Sequence, residues 1–259
     1  MKHFCASSLI SFCLISLLSG TVSAGDDLAA FQAQVAKRLK GDYQGYATPY
    51  TGIYSLSLPS EKESKTPIMA DQELTMLANS FTEAWSYFKA GNPPVEAAKV
   101  HAIRQRAAAE LHFESAIVFR QGNAPISIAV YSAVDCGYCR RLEAFLSNHK
   151  IAYAAFPGSL YRENFSLAKG VWCSEDRAKA WQAVMQHDVD LARVENCPAY
   201  PLADIRYTGA LFSYGNTPGI IFADGDVIAR LPVGKDEEAE FLAIVRDKIA
   251  KQIVFNIPE

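Results

Sequence analysis

The stretch ISIAVYSAVDCGYCRRLEAFLSNH, residues 126–149, decides how this chain folds. Its beginning is almost entirely apolar, which predicts a buried β-strand over residues 126–131. Its end repeats apolar side chains at helical spacing, which predicts a helix; these are Leu142, Phe145 and Leu146. The strand and the helix are joined through Cys-Gly-Tyr-Cys. The sequence therefore places two cysteines where a strand passes into the first turn of a helix.

The two cysteines, Cys136 and Cys139, have the spacing of a redox dithiol. A helix N-terminus carries about half a positive charge and unpaired N–H groups, so the pKa of a Cys136 thiol falls there below the free value of about 8.5. The intervening residues, Gly137 and Tyr138, let Cys139 reach back and form a disulfide. We predict that Cys136 is the attacking thiolate, that Cys139 is the resolving thiol, and that Gly137 and Tyr138 form the active-site loop.

The same motif also occurs in zinc sites and in structural disulfides. Zinc would need two more ligands at matching spacing, and Cys173 and Cys197 form no second motif of this kind. A disulfide across two residues closes so small a loop that it gains little chain entropy. The redox interpretation is therefore favoured. The sequence contains no metal, nucleotide or organic cofactor motif, so we expect no cofactor.

Asp135 directly precedes the predicted nucleophile. A carboxylate beside a thiolate raises the pKa of the thiol by like-charge repulsion and would oppose the helix dipole. A carboxylate turned to solvent would have little effect. The sequence alone leaves both arrangements open.

Residues 1–24 have the pattern of a cleavable signal peptide. Lys2 gives a basic start, residues 9–18 are mainly apolar, and small residues end at Ala24. The apolar run is shorter than the roughly 20 residues that span a bilayer. The sequence therefore predicts export to an oxidising compartment.

Removal of this segment leaves an even number of cysteines. An oxidising compartment then favours the pairs Cys136–Cys139 and Cys173–Cys197, with the second pair structural, although other pairings remain possible. The net charge is −3 and the chain has no run of Lys or Arg. Nucleic-acid binding is therefore not indicated.

The part of the chain before the dithiol predicts a smaller unit with a connector. A helix is expected over 26–40 and a strand over 53–58. Residues 68–90 fit either helix or strand, and the helical period matches more positions. The turn residues at 91–94 break the pattern, and a polar, Ala-rich helix with a thin apolar stripe is expected over 95–114.

The part after residue 115 alternates strands and helices, which predicts an α/β unit. Strands are expected at 117–119 and 151–156, besides the strand before the dithiol. Residues 160–188 are expected to be helical, and helix is expected again within 190–211. A hairpin over 219–231 and a final helix over 235–253 complete a small mixed sheet with helices on both faces.

From about residue 117 onward, the chain resembles the thioredoxin-fold domain of the bacterial periplasmic disulfide isomerases, the DsbC/DsbG family. The resemblance rests on four segments: Cys136-Gly137-Tyr138-Cys139, Ala155-Phe156-Pro157, VWCSEDRAKA at 171–180, and Asn216-Thr217-Pro218. It implies a thioredoxin-like fold with a helical insertion and a structural disulfide between Cys173 and Cys197. It also implies a cis Thr217–Pro218 bond, which turns the Thr217 backbone toward Cys136 to hold substrate.

The resemblance further implies an organisation and a set of partners. The expected parts are a signal peptide (1–24), an N-terminal dimerisation domain (25–92), a linker helix (93–114) and a catalytic domain (115–259) with an insertion at about 160–212. The expected protein is a periplasmic homodimer that reshuffles wrong disulfides in misfolded exported proteins. A membrane-bound reductase of the DsbD type would keep its dithiol reduced.

Two other function classes fit the same residues. One is a monomeric disulfide oxidase or reductase. A low pKa of Cys136 and a strongly oxidising redox potential would favour the oxidase. The other is a holdase-type assembly chaperone in which the dithiol is secondary. Activity that survives Cys136→Ala would identify the chaperone.

Overall fold

The structure is a computed structural model that describes residues 24–57, 66–79, 84–89, 91–186, 193–228 and 234–257. The predicted signal peptide lies outside these residues except for Ala24. Within the described part of the chain, two five-stranded sheets are present, one antiparallel and one mixed. The antiparallel sheet belongs to the N-terminal part, and the mixed sheet carries the dithiol.

The N-terminal part consists of one helix and an antiparallel meander in which each strand pairs with the next. Its elements are α1 (Ala24–Arg38), β1 (Gln44–Ala47), β2 (Ile53–Ser57), β3 (Ile68–Asp71), β4 (Met76–Asn79) and β5 (Ala84–Tyr87). The helix and the strand predicted at 26–40 and 53–58 are present. The helix favoured over 68–90 is wrong, because this segment forms three strands.

The physical reason for this error lies in the hairpin between β3 and β4. The Asp71 carboxylate accepts hydrogen bonds from the backbone N–H groups of Thr75 and Met76, both at 2.7 Å, and so fixes a tight turn. Buried residues then line up across the strands, with Met69 opposite Ala78 and Ala78 opposite Trp85. Because β3, β4 and β5 are equally short, the apolar residues recur along the sequence at intervals close to those of a helix.

Both faces of the antiparallel sheet are covered. On one face, Phe31 and Val35 of α1 pack against a buried group from the strands and the β3–β4 turn: Tyr54, Leu56, Ala70 and Leu74. The other face belongs to the main core and contributes Tyr50, Ile53, Met69, Met76, Ala78 and Trp85 to it. The N-terminal part is therefore packed onto the rest of the chain.

A helix, α2 (Ala97–Ala109), lies where the connector was predicted. It buries Ile103, Ala107 and Ala108 and leaves most of its other side chains at the surface. A Cβ atom at Gly225 would lie 2.4 Å from the backbone nitrogen of Gln105, and Gly225 has a φ of +86°. Only glycine fits there, so the helix lies closely against the hairpin around Gly225.

The C-terminal part is built on the mixed sheet, in the order β10-β9-β7-β8-β6. Its strands are β6 (Ile117–Phe119), β7 (Ile128–Ala133), β8 (Tyr153–Gly158), β9 (Gly219–Phe222) and β10 (Val227–Ile228). The central strand β7 is buried throughout. It runs parallel to β8 and antiparallel to β9. The predicted mixed sheet is confirmed.

Five helices of the described residues surround this sheet: α3 (Gly137–Asn148), α4 (Phe165–Trp172), α5 (Arg177–Met185), α6 (Leu202–Ser213) and α7 (Lys235–Ala250). The helices α4 to α6 occupy the predicted insertion. A disulfide joins Cys173, at the end of α4, to Cys197, before α6.

Helix α6 is also the element that meets the N-terminal part. It contacts β3 and β4. The Tyr50 hydroxyl lies 2.7 Å from Thr208 Oγ1 in a buried hydrogen bond, and Ser55 Oγ donates to the Tyr207 hydroxyl at 3.3 Å. The antiparallel sheet is thereby tied to the helix that backs the mixed sheet.

Candidate redox site

Cys136 stands between the end of the central strand and the first turn of α3. It is the N-cap residue of α3, with extended backbone, and its Sγ accepts a hydrogen bond from the Cys139 backbone N–H at 3.3 Å. The sulfur therefore lies at the positive end of the helix dipole and satisfies one of the free N–H groups there. This is the arrangement that the sequence predicts.

The surroundings lower the pKa of Cys136 to about 6. The largest cause is a hydrogen bond from the Cys139 thiol. Partial burial opposes the shift, while the Thr217 side chain and the backbone N–H groups of Cys139 and Tyr138 add to it. Since donors stabilise the charged form, Cys136 is largely a thiolate at neutral pH.

Cys139 lies in the opposite environment. It is fully buried, and its Sγ accepts from the Ala133 backbone N–H at 3.5 Å. Burial and the neighbouring Cys136 raise the pKa of Cys139 far above its usual value. The two cysteines are thus distinct at neutral pH, with a nucleophilic Cys136 and a protonated Cys139.

Thr217 and Pro218 come to the site from the strand beside β7. The Thr217–Pro218 bond is cis, and Tyr131 of β7 is paired with Gly219 at the start of β9. The Thr217 carbonyl oxygen lies 3.6 Å from Cys136 Sγ. The Thr217 hydroxyl is buried and has no hydrogen-bond partner among the described residues, so it is free to donate to a Cys136 thiolate.

Ser132 is a site residue that the sequence analysis missed. Side chains alternate along β7, so Ser132 points to the same face of the sheet as Ile128. Ile128 is paired with Tyr153 of β8, and the Tyr153 hydroxyl donates a hydrogen bond to Glu143 of α3. Ser132 therefore faces α3 next to Cys139, and it lowers the pKa of Cys139 by hydrogen bonding. The available signal was a hydroxyl within an otherwise apolar strand.

Asp135 is not turned freely to solvent; it is half-buried. Its carboxylate accepts hydrogen bonds from the segment that follows β8. The donors are Ser159 Oγ at 2.7 Å, the Leu160 N–H at 2.8 Å, the Tyr161 N–H at 3.0 Å and Asn164 Nδ2 at 3.1 Å. The carboxylate is thus held by a neighbouring turn, an arrangement that the sequence did not predict.

Gly137 and Tyr138 leave the dithiol open on one side. An added Cβ atom at Gly137 would meet no other atom within 4 Å. The Tyr138 side chain is 59% exposed, and the Arg141 guanidinium lies 5.6 Å from its ring centroid. A polypeptide can therefore approach Cys136 over the Gly137–Tyr138 side of the site.

The described residues offer neither a metal site nor a membrane-spanning helix. Among the described residues, no group of three or more His, Cys, Asp or Glu side chains is arranged to hold a metal ion. In that same part of the chain, no helix has the length and apolar character needed to cross a membrane.

Comparison with known proteins gives consistent similarities. A family model described as a thioredoxin-like domain matches residues 113–249. The thiol:disulfide interchange protein DsbC of Dickeya dadantii is 30% identical over 123 residues, which cover 43% of this chain and 48% of that protein. DsbC of Escherichia coli K12 is 26% identical over 165 residues, which cover 60% of this chain and 66% of that protein.

The matches therefore span between about half and just under two thirds of these relatives. A crystal structure of a disulfide interchange protein from Neisseria gonorrhoeae is also similar, with 26% identity and a TM-score of 0.44, over 52% of this chain and 96% of that one. The predicted resemblance and the thioredoxin-like fold are confirmed.

Proposed function

Because the chain belongs to the thioredoxin-like domain family over residues 113–249, we propose that it is a periplasmic thiol–disulfide oxidoreductase whose main reaction is disulfide isomerisation in exported proteins. The observation that carries the proposal is the unequal pair of cysteines. Cys136 has a lowered pKa at a helix N-terminus, and Cys139 is buried with a raised pKa. The names of the DsbC relatives support the same reaction class.

The first step is attack of the Cys136 thiolate on one sulfur of a substrate disulfide. A new S–S bond joins Cys136 to the substrate as the substrate's own S–S bond breaks. The second substrate sulfur leaves as a thiolate and takes a proton from solvent. Extended substrate backbone can pair with the peptide groups at Thr217, which lie beside the reacting sulfur.

The mixed disulfide then has two possible fates. If another substrate thiolate attacks it, Cys136 leaves as a thiolate and no electrons are transferred in total, which is isomerisation. If Cys139 loses its proton and attacks Cys136, the Cys136–Cys139 disulfide forms and the substrate is reduced by two electrons. The raised pKa of Cys139 slows the second route, and this gives isomerisation time to occur.

Each reduction leaves the dithiol oxidised, so sustained activity needs a source of two electrons. In an oxidising compartment this source has to be a dedicated reductase, and we place a membrane-bound protein of the DsbD type in that role. The open Gly137–Tyr138 side gives such a partner access to the Cys136–Cys139 disulfide.

The active form in this proposal is a homodimer assembled through the N-terminal domain, residues 25–92, with residues 93–114 as linker and 115–259 as catalytic domain. Both faces of the antiparallel sheet are covered by α1 and α6, so the outer edge of β1 is where a second copy would pair. Sedimentation equilibrium of the protein tests this, and a monomer at micromolar concentration would contradict it.

The decisive experiment for the proposed reaction is reactivation of scrambled, fully oxidised ribonuclease by the reduced protein. We expect recovery with the wild type, none with Cys136→Ala, and partial recovery with Cys139→Ala, because isomerisation needs only Cys136. Failure of the wild type, with a Cys136 that alkylates normally, would refute the isomerase. Suppression of aggregation that persists in Cys136→Ala would identify a holdase instead.

A second candidate, a disulfide oxidase, is favoured by one observation. The pKa of about 6 for Cys136 means that the thiolate of the reduced protein is stabilised. Because the reduced form is stabilised, the Cys136–Cys139 disulfide is a stronger oxidant. Assays with reduced and with scrambled ribonuclease distinguish the two functions. An oxidase would transfer its disulfide to reduced ribonuclease efficiently and would fail to reactivate the scrambled enzyme.

A further inference from the structure

The segments that follow β7 and β8 leave the sheet side by side. The two strands are parallel, with Ala133 opposite Gly158, so their carboxyl ends meet at one edge. Asp135 follows the first strand, and Leu160 and Tyr161 follow the second. The strand β9 brings Thr217 to the other side of β7. Cys136 therefore has Thr217 on one side and the Leu160–Tyr161 turn on the other.

Asp135 holds this turn in place. Both carboxylate oxygens are engaged, Oδ1 by the Leu160 N–H and Oδ2 by Ser159 Oγ, the Tyr161 N–H and Asn164 Nδ2. Hydrogen bonds to an ionised carboxylate are roughly twice as strong as neutral ones. The far end of the turn is held separately, since the Arg193 guanidinium donates to Asn164 Oδ1 at 3.2 Å.

The turn presents apolar side chains to solvent. Leu160 is 42% exposed and Tyr161 is 57% exposed, and Tyr138 of the dithiol loop is 59% exposed. In the described part of the chain, the one other exposed large hydrophobic residue is Tyr46. Scattered exposed hydrophobic residues need no explanation, but a group gathered at a reactive sulfur marks a contact surface.

We propose that Asp135 is a positioning residue that holds Leu160 and Tyr161 beside Cys136, where they and Tyr138 form an apolar wall for the substrate polypeptide. The occupant is the chain that carries the reacting disulfide, because the mixed disulfide with Cys136 keeps that chain at this edge. This inference rests on the proposed function and adds a substrate specificity to it. Substrates with apolar residues next to the reacting cysteine are preferred.

The first test compares two peptide disulfides that differ only beside the cysteine, one with Phe and Leu and one with Ser and Gly. We expect reduced wild-type protein to react with the apolar peptide roughly tenfold faster, and Leu160→Ser/Tyr161→Ser to abolish this preference. Both side chains are exposed, so the double variant retains the fold. Arg162→Ser, an exposed change in the same segment, is the matched control and retains the preference.

The second test uses Asp135→Asn, which replaces one acceptor oxygen by an NH2 donor, so that the turn loses the acceptor of the Leu160 N–H or the shared acceptor of the other three donors. We expect the preference for the apolar peptide to fall by roughly fivefold or more. The reaction with glutathione disulfide and the apparent pKa of Cys136 stay within about twofold and about 0.3 units of wild type. A purely electrostatic role would instead shift the pKa of Cys136.

The outcomes separate the inference from the proposed function. If the wild type reacts with neither peptide nor glutathione disulfide, the oxidoreductase proposal fails. If it reacts with both peptides at equal rates, or if the double variant keeps the preference, the apolar wall is refuted and the oxidoreductase stands. An equal loss with all three disulfides in Asp135→Asn would refute the positioning role.

Discussion

Cys136 Sγ lies 3.6 Å from the carbonyl oxygen of Thr217, although 81 residues separate the two in the chain. The contact exists because β7 and β9 are antiparallel neighbours, so that the end of one and the start of the other share an edge. It joins the nucleophile to the peptide groups that can hold a substrate. The side chain of the same threonine also acts on the sulfur, and this leads to a first prediction.

Thr217→Val is expected to raise the pKa of Cys136 by about one to two units. The variant keeps the shape and the backbone of Thr217 but removes the buried hydroxyl that stabilises the thiolate. A hydrogen bond to a charged group is worth about 1.5–3 kcal/mol, and one pKa unit equals 1.36 kcal/mol. The pH dependence of iodoacetamide alkylation measures the shift. Thr217→Ser restores the wild-type value, and a Val variant with unchanged pKa would refute this role of the hydroxyl.

Cys139→Ala is expected to raise the pKa of Cys136 further than Thr217→Val does. The hydrogen bond from the Cys139 thiol is the largest cause of the lowered pKa, and alanine removes it.

For the wild type, alkylation rises with pH around a midpoint near 6 and is about tenfold slower at pH 5 than at the plateau. A midpoint near 8.5 in the wild type would show that the helix N-terminus and its donors do not stabilise the thiolate.

Ser132→Ala is expected to slow the release of substrate by Cys139 and to leave the attack by Cys136 unchanged. Cys139 must ionise inside the protein before it attacks, and the Ser132 hydroxyl stabilises that ion. The loss of one such hydrogen bond slows the step by roughly tenfold. Trapping of the mixed disulfide with a single-disulfide peptide, followed by its decay, measures the rate.

Ser127→Ala provides the matched control for this experiment. Ser127 is also buried, and it precedes the opposite end of β7. Its hydroxyl has no hydrogen-bond partner among the described residues and is hydrogen-bonded to neither cysteine of the dithiol. Its variant should decay like the wild type. Equal slowing in both variants would assign the effect to packing of the strand and not to Cys139.

The parts of the site that depend on local sequence could be predicted. The apolar run, the dithiol and the helical spacing lie within residues 126–149, so one segment determines the position of Cys136 at a helix N-terminus. The parts that depend on distant pairing could not. Asp135 meets Leu160 only because β7 and β8 are parallel, and no pattern around Asp135 indicates that neighbour.

The N-terminal sheet shows the same limit. Residues 68–90 carry apolar residues at intervals that fit a helix, and the strands form there because Asp71 fixes a turn and Trp85 packs in a row with Ala78 and Met69. The packing of this sheet on α6 depends on Tyr50 and Thr208, which lie 158 residues apart. A single sequence contains no signal for such a contact.

The last prediction concerns Glu143, a buried acid on the redox helix that the proposed reaction does not use. Burial raises the pKa of Glu143 to about 7, and hydrogen bonds from Tyr153 and Trp181 oppose the shift. A carboxyl whose pKa is raised in the folded state contributes stability below its unfolded pKa of about 4.3. That stability is lost as the pH rises from about 4.3 through about 7, and the full loss is about 4 kcal/mol.

Glu143→Gln, which mimics the neutral acid, is therefore expected to remove this pH dependence and to be more stable than the wild type at pH 8. Urea unfolding of the oxidised protein at pH 5 and pH 8 measures it, because the Cys136–Cys139 disulfide keeps both thiols from titrating. Glu240→Gln, an exposed change on α7, is the control and should follow the wild type. A Glu143→Gln protein that loses stability between pH 5 and pH 8 as the wild type does would show that the titrating group lies elsewhere.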